Sequence, residues 1–249
     1  MCNECGCAIT DIDRTSRYKP ISTAPSSVGV LRELLAENDK MAGHNRRHLN
    51  RHGVLTVNLM SAPGAGKTAL LEASIEAFGD EFNMAVIVGD LETENDAQRI
   101  RAKGVPAIQI TTGSACHLDA SMVHDALHRM PLDQVDILFI ENVGNLVCPA
   151  GFDLGQHHNV VLLSVTEGDD KPAKYPVMFR AADLMLITKM DLLPCLDDFD
   201  LARARRCLYQ LAHPVPVIPL SSRKHTGMEE WFDWLRRAHA THNEVERIP

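Results

Sequence analysis

No apolar run in this chain is long enough to cross a membrane, and no apolar segment near its start reads as the core of a secretion signal. The expected location is therefore the cytoplasm, with no membrane partner. Basic residues are in deficit too. The 25 Lys and Arg stand against 33 Asp and Glu, a formal net charge of -8, and this argues against a nucleic-acid partner, whose phosphates need a basic face. There is no internal repeat and no low-complexity tract, and the 12 histidines are scattered rather than gathered into a run. Seven cysteines in a chain expected to sit in a reducing compartment make a poor disulfide framework and point to metal chemistry instead. Cys2, Cys5 and Cys7 crowd the first seven residues, Cys116 and Cys148 adjoin motifs described below, and Cys195 and Cys207 have no evident partners.

The 249 residues have room for one large α/β domain and a short appendage. Residues 1–27 read as an N-terminal metal-binding tail and flexible linker, with Pro20, Pro25 and several Ser and Thr. A helix is expected next, on the spacing of Val28, Leu31, Leu34, Leu35 and Met41, whereas 44–52 carries basic residues and no strong pattern. From Val54 onward, β-rich runs at 54–60, 84–89, 106–111, 135–140, 160–165, 183–188 and 215–220 alternate with helical stretches. Several are continuously apolar, as strands buried on both faces are. The alternation predicts a mostly parallel sheet wrapped by helices, occupying 28–249 together with the leading helix. Ligands of such sheets bind at the carboxyl ends of the strands.

One such strand end carries Ser61-Ala-Pro-Gly64-Ala65-Gly66-Lys67-Thr68, followed by a helical segment. Small residues there let backbone N–H groups close around phosphates at a helix N-terminus, so the domain reads as a P-loop NTPase. Gly64, Ala65 and Gly66 would line the phosphates, Lys67 would reach the β/γ-phosphates, and Thr68 would offer a hydroxyl to Mg²⁺. Ser61 stands where the pattern usually has Gly. Asp90 and Glu141 each end an apolar strand and could complete the Mg²⁺ shell with Thr68. Lys67, Asp90 and Glu141 are thus the candidate catalytic residues. Each carboxylate is also readable as a plain polar strand end. Glu141-Asn-Val-Gly144 has the form of a γ-phosphate-sensing loop with Glu in place of Asp.

Base choice is expected from Thr188-Lys189-Met-Asp191. A carboxylate at 191 can accept from guanine N1 and N2, a donor pair that adenine lacks, and Lys189 can lie over the base. Thr188 replaces the usual Asn. Ser221 and Ser222, after the last strand, resemble the loop whose amides contact the guanine carbonyl. Leu192 and Leu196 follow Asp191 at i, i+4 spacing, so a single exposed face could carry both; the alternative is plain core packing.

Cys2-x-x-Cys5-Gly-Cys7 places three thiolates within six residues, with the α-amino group close by as a fourth donor. That set suits Zn²⁺, Ni²⁺ or Cu⁺, a planar geometry favouring Ni²⁺. A redox CxxC is the rival, without a thioredoxin-like context to support it. Cys116-His117 follows one strand and Cys148 follows the Glu141 loop, so both segments should emerge on one edge of the sheet. Two thiolates and an imidazole leave room for a fourth ligand from water or a second subunit; the alternative is two small buried hydrophobes and an ordinary histidine.

Together these residues resemble the HypB family, GTPases that help deliver nickel to [NiFe]-hydrogenase during its maturation. The likeness covers nearly the whole chain: Met1-Cys-x-x-Cys-Gly-Cys7, the phosphate loop, Gly89-Asp-Leu-Glu-Thr93, Cys116-His117, Glu141-Asn-Val-Gly-Asn-Leu-Val-Cys148-Pro, Lys189-x-Asp191 and the serine loop at 221. The resemblance implies GTP hydrolysis to GDP, a tight nickel site at Cys2, Cys5 and Cys7, and a weaker nickel or zinc site at Cys116, His117 and Cys148. It also implies a homodimer linked to nucleotide and metal, with Leu192 and Leu196 as a subunit contact. The partners it implies are a nickel metallochaperone and the precursor of the hydrogenase large subunit. The long His-rich storage tract of some members is absent, which speaks against bulk nickel storage. Rival functions are a metal buffer with a vestigial nucleotide core, and the related chaperone GTPases of B12-dependent mutases and of urease.

Overall fold

Residues 27–92, 94–113, 115–211 and 214–246 are described by the computed structural model, with side chains from 32 to 244; Cys2, Cys5, Cys7 and Thr93 lie outside the described residues. The apolar runs become β1 (Leu55–Ser61), β2 (Met84–Asp90), β3 (Ala107–Thr111), β4 (Ile137–Glu141), β5 (His158–Ser164), β6 (Leu184–Thr188) and β7 (Val217–Pro219). All seven expected strands are present, with ends shifted by up to two residues. They form one sheet in the order β3-β2-β4-β1-β5-β6-β7, and every named pairing is parallel.

Parallel strands need crossovers, and helices supply them: α1 (Ser27–Arg51) before the sheet, then α2 (Lys67–Phe78), α3 (Asn95–Arg101), α4 (Ala120–Leu127), the short α5 (Lys171–Lys174) and α6 (Pro176–Arg180), α7 (Leu201–Tyr209) and α8 (Met228–Glu246). Side chains alternate faces along each strand. Leu55, Val57 and Leu59 of β1 and Ile137 and Phe139 of β4 pack with Leu71, Ile75 and Phe78 of α2 and Trp231 and Leu235 of α8. Leu138 and Ile140 point to the other face, against Leu49, Leu118, Val123 and Leu127. The same period of two puts Glu141 on the α2 side.

The first helix runs through the segment in which no pattern was legible. Asn38, Ala42, Asn45 and Leu49 are buried at spacings of four, three and four, a stripe hidden in the sequence because half of it is asparagine. Both side chains bond to backbone groups of other segments. Asn38 donates to Asp153 O (2.8 Å) and accepts from Ala120 N (2.9 Å), and Asn45 donates to Ala120 O (2.8 Å) and Leu154 O (3.1 Å). These bonds fasten α1 to the start of α4 and to the loop before β5.

Leu192 and Leu196 do not share a helical face. A 3-10 turn spans Met190–Cys195, and Leu196 follows it in extended conformation, packed against the core, while Leu192 is exposed. Pro194 inside the segment removes a donor that a longer helix would require.

Candidate functional site

The loops at the carboxyl ends of β1, β2 and β4 enclose a cavity of about 370 Å³, lined among others by Gly64, Gly66, Lys67, Thr68, Asp90, Glu141 and Gly144. Gly64 (φ 74°) and Gly66 (φ 102°) take the left-handed conformation that lets the chain turn tightly into α2. Gly66 caps that helix without a side-chain hydrogen bond, which leaves the first-turn amides open to an anion. Gly144 closes the opposite wall. A Cβ there would lie 2.8 Å from Pro63 Cα, so only glycine allows the loop after β4 to press on the phosphate loop.

Lys67 is buried, and its ammonium donates to Ser61 Oγ at 3.1 Å. The hydroxyl that departs from the usual Gly thus holds the lysine folded over its own loop. Burial lowers the Lys67 pKa, opposed chiefly by the Glu141 charge. Thr68 Oγ1 donates to Glu141 Oε1 at 2.8 Å, a contact that follows from the strand alternation described above. Glu141 is itself buried, and its Oε2 has no hydrogen-bond partner among the described residues. Desolvation pushes its pKa up to about 7, against the pull of Lys67 and Thr68. A buried carboxylate oxygen without a donor, beside a threonine hydroxyl and across from Asp90, fits a hard divalent cation such as Mg²⁺. Asp90 caps its own strand end by accepting from Leu91 N at 2.6 Å. Sequence reasoning missed Asp96 and Arg99, which line the same cavity from α3; Arg99 donates to Glu72 (2.6 Å) and Asp96 (3.1 Å).

A second cavity of about 310 Å³ opens on the other side of the phosphate loop, between Ala65, Gly66, Ala69, Lys189, Asp191, Ser221 and Ser222. Thr188, the departure from Asn, donates to Ala65 O at 2.7 Å and so ties the base side to the phosphate loop. Ser221 Oγ donates to Asp191 Oδ1 at 2.6 Å and accepts from Lys224 N at 3.1 Å, fixing the carboxylate on the cavity wall. Lys189 sits at φ 58°, a left-handed conformation uncommon for lysine, which places it on the rim. A larger depression of about 600 Å³ lies at the opposite edge of the sheet, around Met84 and Val135, without such convergent groups.

The loops after β3 and β4 meet beyond the phosphate cavity, and there Cys116, His117 and Cys148 converge, their ligand atoms all within 4.8 Å of one another. The two sulfurs are 3.0 Å apart, and His117 Nδ1 is 3.6 Å from Cys116 Sγ. His117 stacks on Phe152 with ring centroids 3.9 Å apart, and burial lowers its pKa, which favours the neutral imidazole that a metal needs. The hydrogen bond with Cys116, then burial, raises the Cys148 thiol. Asn145 joins the two loops, donating to Cys116 O (3.2 Å) and accepting from Val147 N (2.8 Å). Asn142 accepts from Leu118 N at 3.3 Å in the same junction. Both asparagines stand inside the Glu141–Cys148 motif, which was their only sequence signal.

The nucleotide-binding domain model described as CobW/HypB/UreG matches residues 55–218. Over 203 residues the chain is 51% identical to the hydrogenase maturation factor HypB of Escherichia coli K12, covering 82% of this chain and 70% of that protein. It is 42% identical over 212 residues to the hydrogenase/urease maturation factor HypB of Helicobacter pylori, covering 84% and 86%. Among solved structures, HypB from Helicobacter pylori in complex with nickel superposes with a TM-score of 0.79 at 40% identity, covering 82% of this chain and 96% of that one. The hydrogenase maturation factor HypB of Archaeoglobus fulgidus gives 0.77, also at 40% identity, covering 82% and 100%. A match spanning more than half the chain, together with relatives at this identity over most of its length, places the protein in the HypB family of P-loop proteins.

Proposed function

We propose that this protein hydrolyses GTP to GDP and uses the nucleotide state to handle nickel for the maturation of [NiFe]-hydrogenase. One observation carries the reading: the segment Glu141–Cys148 belongs to both sites, with Glu141 bonded to Thr68 at the phosphate cavity and Cys148 in the thiolate–imidazole cluster. The nickel held by the Helicobacter pylori relative supports the choice of cargo. Gly64, Ala65 and Gly66 offer amides to the phosphates. Lys67 leaves Ser61 to meet the β/γ-phosphates, and its charge counters what builds up on them. Thr68, Glu141 and Asp90 would hold Mg²⁺, which neutralises charge on the β- and γ-phosphate oxygens when bound. Asp191 accepts from guanine N1 and N2, Lys189 covers the ring, and Ser221 and Ser222 close the base side.

Cys116, His117 and Cys148 are the transferable metal site, with Zn²⁺ as a competitor for Ni²⁺. Cys2, Cys5 and Cys7 form a second, tighter nickel site in the same reading, outside the described residues. The working unit is a homodimer in the cytoplasm, with exposed Leu192 as a contact. A nickel metallochaperone and the hydrogenase large-subunit precursor are its partners. Phosphate release from GTP, with ATP as control, tests the catalytic part. Activation of hydrogenase in cells whose own copy is replaced by Cys148→Ser tests the delivery part. The expected result is turnover of GTP but not ATP, and a variant that still turns over GTP yet leaves hydrogenase without nickel. Equal turnover of ATP, or full hydrogenase activity in the variant, would overturn the proposal.

A further inference from the structure

The 12 histidines look scattered along the chain, yet the fold gathers five of them. His44, His48 and His52 recur every four residues on α1, and His124 on α4 is followed four residues later by His128, which caps that helix in helical backbone conformation, so each set lies along one face. The two helices are held together by the Asn38 and Asn45 bonds to Ala120, which brings the faces into contact. His124 and His128 rings are 4.4 Å apart, His44 and His124 5.0 Å, and His48 and His128 5.6 Å. Two imidazoles on one ion, with metal–nitrogen bonds of about 2.0–2.1 Å, have centroids roughly 4.5 Å apart at a right angle and about 5.2 Å at a tetrahedral angle. The observed spacings bracket those values.

The tautomers can be assigned from the hydrogen bonds. The Asn45 amide nitrogen donates to two backbone carbonyls, so its Oδ1 must be the acceptor of the 3.1 Å contact with His124 Nδ1. His124 therefore carries its proton on Nδ1 and has its lone pair on Nε2. That lone pair faces His128 Nε2, which donates to it across 3.0 Å. Likewise His52 Nδ1 donates to Asp133 Oδ1 at 2.8 Å. An imidazole whose second nitrogen is tied to an amide or carboxylate oxygen is the usual arrangement of a metal-binding histidine. Partial burial, together with neighbouring histidines, lowers the pKa of His48 and His124.

We propose that His124 and His128, joined by His44 and His48 through side-chain rotation, bind a divalent transition ion such as Ni²⁺ or Zn²⁺ on the α1–α4 face, separately from the cysteine cluster. Two histidines four apart in helical backbone chelate one ion without backbone movement once His128 passes its Nε2 proton to solvent and takes one up on Nδ1, and imidazole suits both metals. Four neutral ligands carry no charge to offset the ion, so the site is weaker and faster to exchange than one built on thiolates. It stands whether or not the GTP-linked function above is correct.

Equilibrium dialysis of Ni²⁺ into the full chain tests it, comparing wild type, His124→Asn/His128→Asn and Cys116→Ser/Cys148→Ser. The histidine variant should lose one weak equivalent that the cysteine variant keeps. With Zn²⁺, histidine-selective ¹H–¹⁵N spectra of wild type should show the His124 Nε2 resonance shifting while its Nδ1–H is retained. Identical Ni²⁺ stoichiometry and affinity in wild type and the histidine variant would overturn the proposal, as would an unmoved His124 resonance. His128 is exposed, so His128→Gln alone carries the same comparison if the double variant is unstable.

Discussion

The two halves of the carboxyl edge are built of different material. On the nucleotide side, Lys67 is 8% exposed, Thr68 7% and Glu141 4%, and each makes a hydrogen bond within the site. On the metal side, Cys116 is exposed and Cys148 half-buried on short loops, tied by little more than Asn145 and a stacked ring. Burying charge is costly, and a protein tolerates it where preorganised electrostatics must act on a reacting group. Exposed soft ligands on lightly held loops are suited to a different task, taking up an ion and giving it back. In the proposed function the first half serves as a fixed mould for nucleotide and the second as a handle for metal. Among the described residues, the Glu141–Cys148 loop is part of both.

The most severe test of that division is Lys67→Ala. It should lower GTP turnover by about 100- to 1,000-fold, roughly 3–4 kcal/mol, as removal of a preorganised donor does. In nucleotide-free protein, Ni²⁺ binding at Cys116, His117 and Cys148 should be unchanged. Phosphate-release kinetics and a metal titration on the same preparation check both statements. A matching loss of nickel affinity without nucleotide would mean the halves are one unit. Asp191→Asn should be milder and confined to the mould. Exchanging the carboxylate for an amide costs about 2–3 kcal/mol of GTP affinity, as lost hydrogen bonds to a charged group do. Xanthosine triphosphate should bind better in compensation, because the amide can donate to its extra carbonyl. Competition binding with the two nucleotides decides it, and unchanged GTP affinity would remove Asp191 from base recognition.

The nucleotide half was almost wholly legible in the sequence, because backbone-made phosphate sites impose glycine at set positions and parallel strands announce themselves as apolar runs. Helix α1 beyond residue 43 was not, since Asn45 occupies a core position through hydrogen bonds that only the folded partner segments supply. Leu192 and Leu196 misled because a spacing of four means a shared face only if the backbone is helical. Histidine roles were the least legible of all. His117 and His157 look alike in sequence, yet His157 accepts from Thr56 N at 2.8 Å and its Nε2 meets Asn50 Oδ1 at 2.8 Å, away from either site.

That difference has a measurable consequence. Burial, with nearby His242 and Arg46, holds the His157 pKa down to about 3. Between there and about 6.5 the unfolded chain binds a proton that the folded chain refuses, so stability falls as pH drops through this window. The loss from this one residue should reach about 2 kcal/mol at pH 5 relative to pH 8. Urea unfolding at the two pH values measures it, and His157→Gln should flatten the difference. An unchanged slope in that variant would assign the acid sensitivity to other groups, such as the site histidine.

The smallest expected effect bears most directly on the loop common to both halves. Loss of the γ-phosphate should free the segment after β4, as it frees switch segments generally, because Glu141 and Gly144 face the phosphate cavity. Cys148 is seven residues beyond Glu141, and Asn145 between them is bonded to the Cys116 loop. Any movement of the segment therefore moves one sulfur relative to the other and alters the coordination geometry. The coupling should amount to about 1.4 kcal/mol, a tenfold change in Ni²⁺ affinity between GDP and a nonhydrolysable GTP analogue. It must also be reciprocal: Ni²⁺ should change the relative affinity for the two nucleotides by the same factor, whereas turnover need not follow. A form lacking residues 1–7 isolates this site from the N-terminal thiolates. Cys148→Ala should abolish the difference while nucleotide affinity of the metal-free protein stays as it was. Asn145→Ala separates mechanism from mere adjacency, since it cuts the tie between the loops and keeps every ligand: metal affinity should survive and its dependence on nucleotide should shrink. Equal Ni²⁺ affinity in the two nucleotide states of the otherwise intact core would leave Cys116, His117 and Cys148 as a passive site, and the two halves would be neighbours only.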